Sequence, residues 1–331
     1  PEHAKDIHAT YVHDINRHLV RLGHEVLVVT PRIGDAAARE SFDGVDIVRF
    51  PASIPEDLSY GKVAQSRIGM VSKARRLAAM GSYLAKQYAH TVAEGKRWNA
   101  DIVHGHWAIP TGPALVAAAA RLGCPSVITL HGGDVYVNEE QGYDFPLRWY
   151  VKPILRRTLR TANALTAISD DCRQHALNAG AIDERVHPIM NGADLRRFSP
   201  GERNHPEFGE QMIFACRQLI PRKGIRFLID ALASLKDEYP RATVVVAGDG
   251  MEREALEKRA AELGIDDRVH LLGWVSNDRL PDYYRSAAIS VIPSIEEGFG
   301  IPAAEAMGCE LPVIATDAGG LPEVVDDGKT G

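Results

Sequence analysis

The chain has only four cysteines, Cys124, Cys172, Cys216 and Cys309, and no two are close enough to form a CxxC pair. That spacing argues against a zinc ribbon or a redox motif. Isolated cysteines in apolar runs read instead as small buried hydrophobes of a reducing compartment. No apolar run approaches the roughly 20 residues that a membrane span requires, and no signal-peptide pattern is visible. No G-x-S-x-G is present, so a serine hydrolase of the nucleophile-elbow type is not indicated. A dinucleotide fingerprint is also lacking: in "GDGMERE" the last glycine of GxGxxG is replaced by Arg253. The chain starts at Pro1 without a methionine and closes on "DDGKTG", so further sequence is expected at both ends.

Charge is what remains unevenly spread. Residues 1–200 carry 24 bases against 21 acids, whereas residues 201–331 carry 14 against 23. Two long stretches, Leu58–Ala93 and Phe145–Ser169, contain bases and no acids. An acidic protein without interleaved aromatics and bases is a poor nucleic-acid binder. A local anionic surface fits the two stretches better. The second of them, with its "FPLRWYVKPILRR", is a candidate for peripheral contact with an anionic membrane; a solvated helix face explains it equally well.

Short β-branched runs alternate with longer helical patterns. Strands are expected at 25–30, 45–50, 100–105, 126–130, 163–168 and 185–190. A second series is expected at 212–216, 242–248, 268–273, 288–293 and 312–316. Apolar runs without alternation indicate strands covered on both faces. Helices between them indicate βαβ units and parallel sheets. The polar, proline- and glycine-containing stretch 194–210 separates the two series. The fold class is therefore α/β, with two doubly wound domains, residues 1–200 and 201–331. Ligands of such sheets bind beyond the carboxyl ends of the strands.

Chemistry is accordingly sought just after each strand. His131-Gly132-Gly133-Asp134 follows one, and offers an imidazole beside accessible backbone N–H groups; a structural histidine in a tight turn is the alternative. His104 and His106 lie close by in sequence, and with His131 and Asp134 invite a metal reading, although lining or packing is the more natural role. Arg217 and Lys223 follow the strand at 212–216 and precede a helix. Two cations at such a place suit a diphosphate. The glycines of "GDG", Gly250 among them, permit close backbone approach. In "EEGFGIPAAEAM" the acids Glu297 and Glu305 flank the turn Gly298-Phe299-Gly300-Ile301-Pro302. Pro302 is pre-organised for a first helical turn, leaving the N–H groups of Gly300 and Ile301 to an anion. Either acid alone reads as solvated or as favouring the helix start. Together, opposite Arg217 and Lys223, they read as a ligand site. A paired-acid glycosidase would not account for the cations.

These residues resemble the retaining glycosyltransferases of family 4, the glycosyltransferase "group 1" class. The likeness runs through "LVRLGHEVLVVTPR", "HGGD", "AISD", "NGADLRRFSP", "RQLIPRKG", "VAGDG", "EEGFGIPAAEAMGCELPVIATDAGGLPEVV" and "DGKTG". It implies a GT-B fold of two Rossmann-like domains facing a cleft. It further implies that Arg217 and Lys223 neutralise a donor diphosphate, that Glu305 binds the nucleotide ribose, and that Glu297 contacts the donor sugar. Gly300 and Ile301 then supply backbone donors, with Gly250 and Phe299 beside them, and His131 is the histidine contributed by the first domain. One departure stands out: the opening loop, Pro1 to His8, has no glycine where family members usually carry a pair.

The expectation is an enzyme that moves a hexose from a UDP-, GDP- or ADP-sugar to a hydroxyl acceptor, with retention of configuration. No cofactor and no metal are expected, because the two cations stabilise the leaving group. A cytoplasmic location is expected, with peripheral attachment to the inner face of the membrane as an option. A nucleotide-sugar epimerase or hydrolase on the same architecture is one alternative, and a non-catalytic sugar-nucleotide binding module is another.

Overall fold

The structure is a computed structural model and describes residues 10–32, 34–51, 70–136 and 151–331. The glycine-free opening stretch 1–8 lies outside the described residues, as do parts of both acid-free stretches. The chain divides into two compact units. One comprises residues 1–167 and 175–187, the other residues 168–174 and 188–331.

In the first unit, α1 (Thr10–Arg21) leads to β1 (Leu27–Pro31), β2 (Arg39–Phe42) and β3 (Val45–Phe50). These strands form one sheet in the order β1-β3-β2. The pairing of β1 with β3 is parallel, but β2 runs antiparallel to β3. The sequence reading contains no strand over 39–42. The signal for it was the Asp43-Gly44 pair, which takes positive φ values of 53° and 79° and so makes the tight turn that an antiparallel hairpin needs. The long helix α2 (Met70–Trp98) follows, then β4 (Val103–His106), α3 (Gly112–Leu122), β5 (Ser126–Leu130), α4 (Val151–Thr161), β6 (Ala164–Ala167), α5 (Asp170–Asn178) and β7 (Val186–Pro188). Strands β4 to β7 make a second sheet in that order, with β4, β5 and β6 parallel.

The second unit holds a five-stranded parallel sheet, β10-β9-β8-β11-β12. Its strands are β8 (Met212–Cys216), β9 (Thr243–Ala247), β10 (Val269–Gly273), β11 (Ile289–Ile292) and β12 (Val313–Ala315). Side chains of a strand alternate between faces, and here both faces lead into apolar cores. Met212, Phe214, Val245 and Ala247 enter one core with Tyr283, Tyr284, Ala303 and Ala306 of α8 (Leu280–Ser286) and α9 (Ile301–Gly308). Ala215, Val244 and Val246 enter the other, with Ile225, Ile229 and Leu232 of α6 (Ile225–Ser234) and Leu256 and Ala260 of α7 (Arg253–Glu262). That double burial is why these strands read as unbroken apolar runs.

Residues 168–174 join the second unit through a carboxylate. Glu323 accepts hydrogen bonds from the backbone N–H groups of Asp170 (2.7 Å) and Asp171 (2.9 Å) in the first turn of α5. Orphan donors of a helix start are thereby satisfied by a residue remote in sequence. Among the described residues no helix is long and apolar enough to cross a membrane.

Candidate functional site

In the second unit the chemistry gathers where β8 and β11 end. Arg217 leaves β8 with its N–H bonded to the Ala247 carbonyl at 2.8 Å, and its side chain is only 4% exposed. Lys223 closes the short turn Pro221–Lys223, and Gly224 then opens α6 in the left-handed region at φ 66°. A side chain at 224 would be strained there, and its Cβ would also lie 1.9 Å from the carbonyl oxygen of Pro293. The same loops are laced by the Ile295 N–H, which donates to the Arg222 carbonyl at 2.8 Å.

Both cations meet one carboxylate oxygen. Glu297 Oε2 lies 3.0 Å from Arg217 Nη1 and 2.8 Å from Lys223 Nζ, and the Ser294 hydroxyl donates to it at 3.3 Å. Burial alone would raise the Glu297 carboxyl, but Lys223 and Arg217 outweigh it and hold the group at about 2. Lys223 is moved the other way by its surroundings. Burial lowers it to about 8, only partly opposed by Glu297 and assisted by Arg217 and Arg222. Arg217 keeps two further N–H positions, Nε and Nη2, buried without a partner among the described residues. A buried guanidinium with unspent donors is costly unless a ligand completes it.

The turn after Glu297 is as the glycine–proline pattern implied. Gly300 caps α9 at φ 95°, and Pro302 sits in the first helical turn. The Phe299 side chain is buried. Neither Gly300 nor Ile301 donates its N–H to a backbone carbonyl among the described residues. Glu305, one turn on, accepts from the Tyr284 hydroxyl at 2.9 Å. Gly250 lies after β9 and donates its N–H to Asp249 Oδ1 at 2.8 Å.

The first unit holds a histidine cluster. His106 Nδ1 and His131 Nε2 are 2.9 Å apart, with their rings stacked, and His104 Nε2 meets the Thr129 hydroxyl at 2.7 Å. Burial, with the neighbouring imidazoles, lowers His106 to about 3 and His131 to about 4, so both are neutral at physiological pH. Asp134, 1% exposed, ties two strand ends together: Oδ2 accepts from the Ala108 N–H at 2.6 Å and Oδ1 from the His131 N–H at 3.2 Å. Burial raises its carboxyl to about 6 against the lowering effect of those bonds. The described residues include no His/Cys/Asp/Glu group arranged to hold a metal ion.

Two family models cover almost all of this. The model for glycosyltransferase family 4 matches residues 8–197, and that for glycosyl transferases group 1 matches residues 201–331. The chain belongs to glycosyltransferase family 4. A D-inositol 3-phosphate glycosyltransferase of Nocardiopsis dassonvillei is 35% identical to it over 255 residues, 70% of this chain and 58% of the relative. An MMP alpha-(1->4)-mannosyltransferase of Mycolicibacterium hassiacum is 31% identical over 249 residues, 72% of this chain and 58% of the relative. The chain thus spans somewhat over half the length of these curated relatives. Among solved structures, HepE of Anabaena in complex with UDP superposes with a TM-score of 0.67 at 18% identity, over 92% of this chain and 83% of that one. That likeness shows the GT-B fold.

Arg217, Lys223 and Glu297 come together, whereas Glu305 stands with Tyr284. In the structure Glu297 meets the two cations. His131 lies in the other unit, with His106 as its partner. Two residues escaped the sequence reading. Tyr284 gave no motif, because a buried tyrosine on an amphipathic helix reads as core. Glu296 was overshadowed by Glu297, yet its half-buried carboxyl is raised, chiefly by burial, and its Oε2 is buried without a partner among the described residues.

Proposed function

We propose that this chain is a retaining hexosyltransferase, with a nucleoside diphosphate sugar as donor and a hydroxyl as acceptor. One observation carries the reading. Arg217 presents two buried, unpartnered N–H donors beside Lys223, at the end of the central strand of a parallel sheet. A diphosphate has the acceptors and the charge to complete that arrangement. In the reaction the bond between the anomeric carbon and the diphosphate oxygen breaks, and a bond from the acceptor oxygen to the same carbon forms on the same face. The acceptor proton passes to the departing diphosphate. Arg217, Lys223 and the start of α9 oppose the charge that develops there, so the leaving group needs no divalent metal. UDP is the first base to try, since the HepE structure holds it; the mannosyl and inositol-phosphate chemistry named for the two relatives widens the choice of sugar and acceptor. For His131 the family pattern supplies the role and the neutral imidazole is compatible with it.

The test is a thermal-shift panel of UDP, GDP, ADP and their sugars, without metal, on wild type and Arg217→Ala. Stabilisation by one nucleotide family that disappears in the variant supports the donor site. A folded chain that responds to none of them overturns it. Turnover that proceeds fully without any added acceptor favours the epimerase or hydrolase alternative, and binding without turnover favours a binding module.

A second reading concerns α4, whose Lys152, Arg156, Arg157 and Arg160 are all exposed while Val151, Leu155 and Leu159 are buried. Ile154 lies among the bases at 46% exposure. Such a face suits an anionic lipid surface. Co-sedimentation with phosphatidylserine-containing vesicles at low salt tests it, and equal recovery in the supernatant with and without vesicles sinks it.

A further inference from the structure

We propose that Tyr284 is a positioning residue for the donor's ribose: its hydroxyl holds the Glu305 carboxylate in the orientation that receives the sugar hydroxyls of the nucleoside. The inference rests on the reading of Glu305 as the ribose-binding acid and adds the group that aims it.

Tyr284 is fully buried on α8 and belongs to the core beneath the sheet. Phe214 of β8 meets its ring edge-on, with centroids 4.9 Å apart at 88°, and Phe198 does the same at 5.9 Å and 76°. That packing fixes the ring, and a phenylalanine would fill the same space. The hydroxyl is the part that packing does not require, and an unbonded hydroxyl in such a core is costly. It is bonded to Glu305 Oε2 at 2.9 Å. Glu305 itself is only half-buried, so the contact joins a rigid interior group to a side chain at the edge of the site.

The phenol is the donor of that bond. Burial, together with the charge of Glu305 and the nearby Cys216, pushes the phenol well above its usual range, so it remains a donor. Glu305 carries three rotatable side-chain bonds and sits on a helix of only eight residues. Fixing one of its oxygens in advance removes conformational freedom that the ligand would otherwise have to suppress on binding. Phe214, which holds the ring, lies on the strand that also delivers Arg217. Ribose and diphosphate recognition are in this way referred to one strand.

The experiment is calorimetric titration of wild type and Tyr284→Phe with UDP, GDP and ADP, and with the 2′,3′-dideoxy form of each. Wild type is expected to favour the ribonucleotide. Tyr284→Phe is expected to weaken ribonucleotide binding by about tenfold, the scale of one hydrogen bond to a charged group, and to leave the dideoxy affinity unchanged. Equal losses for both forms would mean a structural role and overturn the proposal, as would no loss at all. If wild type binds neither form of any base, the donor-site reading fails and takes this one with it. If wild type binds ribo and dideoxy forms alike, the donor site stands and the proposal falls. A second measurement leaves the phenol in place. With 3-fluorotyrosine at position 284, the 19F resonance is expected to move on ribonucleotide binding and not on dideoxynucleotide binding; an identical response to both, or none, overturns the proposal.

Discussion

Replacing Lys223 by methionine separates a site kept for a ligand from one kept for the fold. Lys223 falls from its usual 10.5 to about 8, which at neutral pH means its charge costs the folded state about 3 kcal/mol. Glu297 falls from 4.5 to about 2, which contributes about 3 kcal/mol of stability in the same conditions. The two shifts share the Lys223–Glu297 attraction and act on stability with opposite sign, so the cluster as a whole adds little to folding. Methionine removes the cost of the lysine, keeps most of its volume, and leaves Arg217 to pair with Glu297. Urea unfolding at pH 7 should therefore show a change within about 1 kcal/mol, while affinity for the nucleoside diphosphate that binds wild type drops by about 30-fold or more, the loss of one charge-assisted contact to phosphate. The sign in pH follows as well. Between pH 8 and 10.5 the unfolded chain holds a proton on Lys223 that the folded chain lacks, so this residue makes wild type more stable as pH rises through that window. Lys223→Met should lack that rise. A variant that loses more than about 3 kcal/mol at pH 7, with the nucleotide affinity of the surviving fold unchanged, would refute the argument and make the cluster structural.

Further outcomes can be checked on the same protein. Nucleoside diphosphate affinity should weaken by up to tenfold per pH unit above about pH 8, as Lys223 loses its proton, and Lys223→Arg should flatten the profile in calorimetry. Asp134→Ala strands the N–H groups of Ala108 and His131 and should cost on the order of 3 kcal/mol in urea unfolding. Gly224→Ala meets both the positive φ and the Pro293 carbonyl; it should cost about 2 kcal/mol or more and displace Lys223, seen as lost nucleotide-induced stabilisation. His106 and His131, lowered to about 3 and 4, should show no imidazole titration by NMR between pH 8 and 5.5. Because they remain neutral while the unfolded chain takes up protons, their contribution to stability is present above about pH 6.5 and is lost as pH falls from there.

The parallel strands were legible because double burial writes itself as uninterrupted apolar runs, and each of the eleven runs overlaps a strand. The edge strand β2 was not, because "RESF" alternates exposed and half-buried positions and is too polar to stand out; only the Asp43-Gly44 turn marked it. In the site, Arg217, Lys223 and Glu297 were legible as charges following strands. Their mutual pairing was not, since it depends on the geometry of two loops brought together by the order β8-β11 in the sheet. Tyr284 was hidden for the same reason: its hydroxyl acts through a residue 21 positions away, and nothing in its local pattern distinguishes it from core.

The carboxylate seated between Arg217 and Lys223 also bears on which anions can hold there. Of these three groups two are positive and one negative, so a small anion finds a single surplus charge that is already partly answered. Chloride or inorganic phosphate, abundant in any cell, gains little by displacing Glu297 from contacts of 3.0 and 2.8 Å. A ligand does better only if it holds on elsewhere at the same time. Under the proposed donor-site reading Glu297 is a resident competitor for the two cations, one that a ligand with contacts elsewhere displaces and a lone salt ion does not.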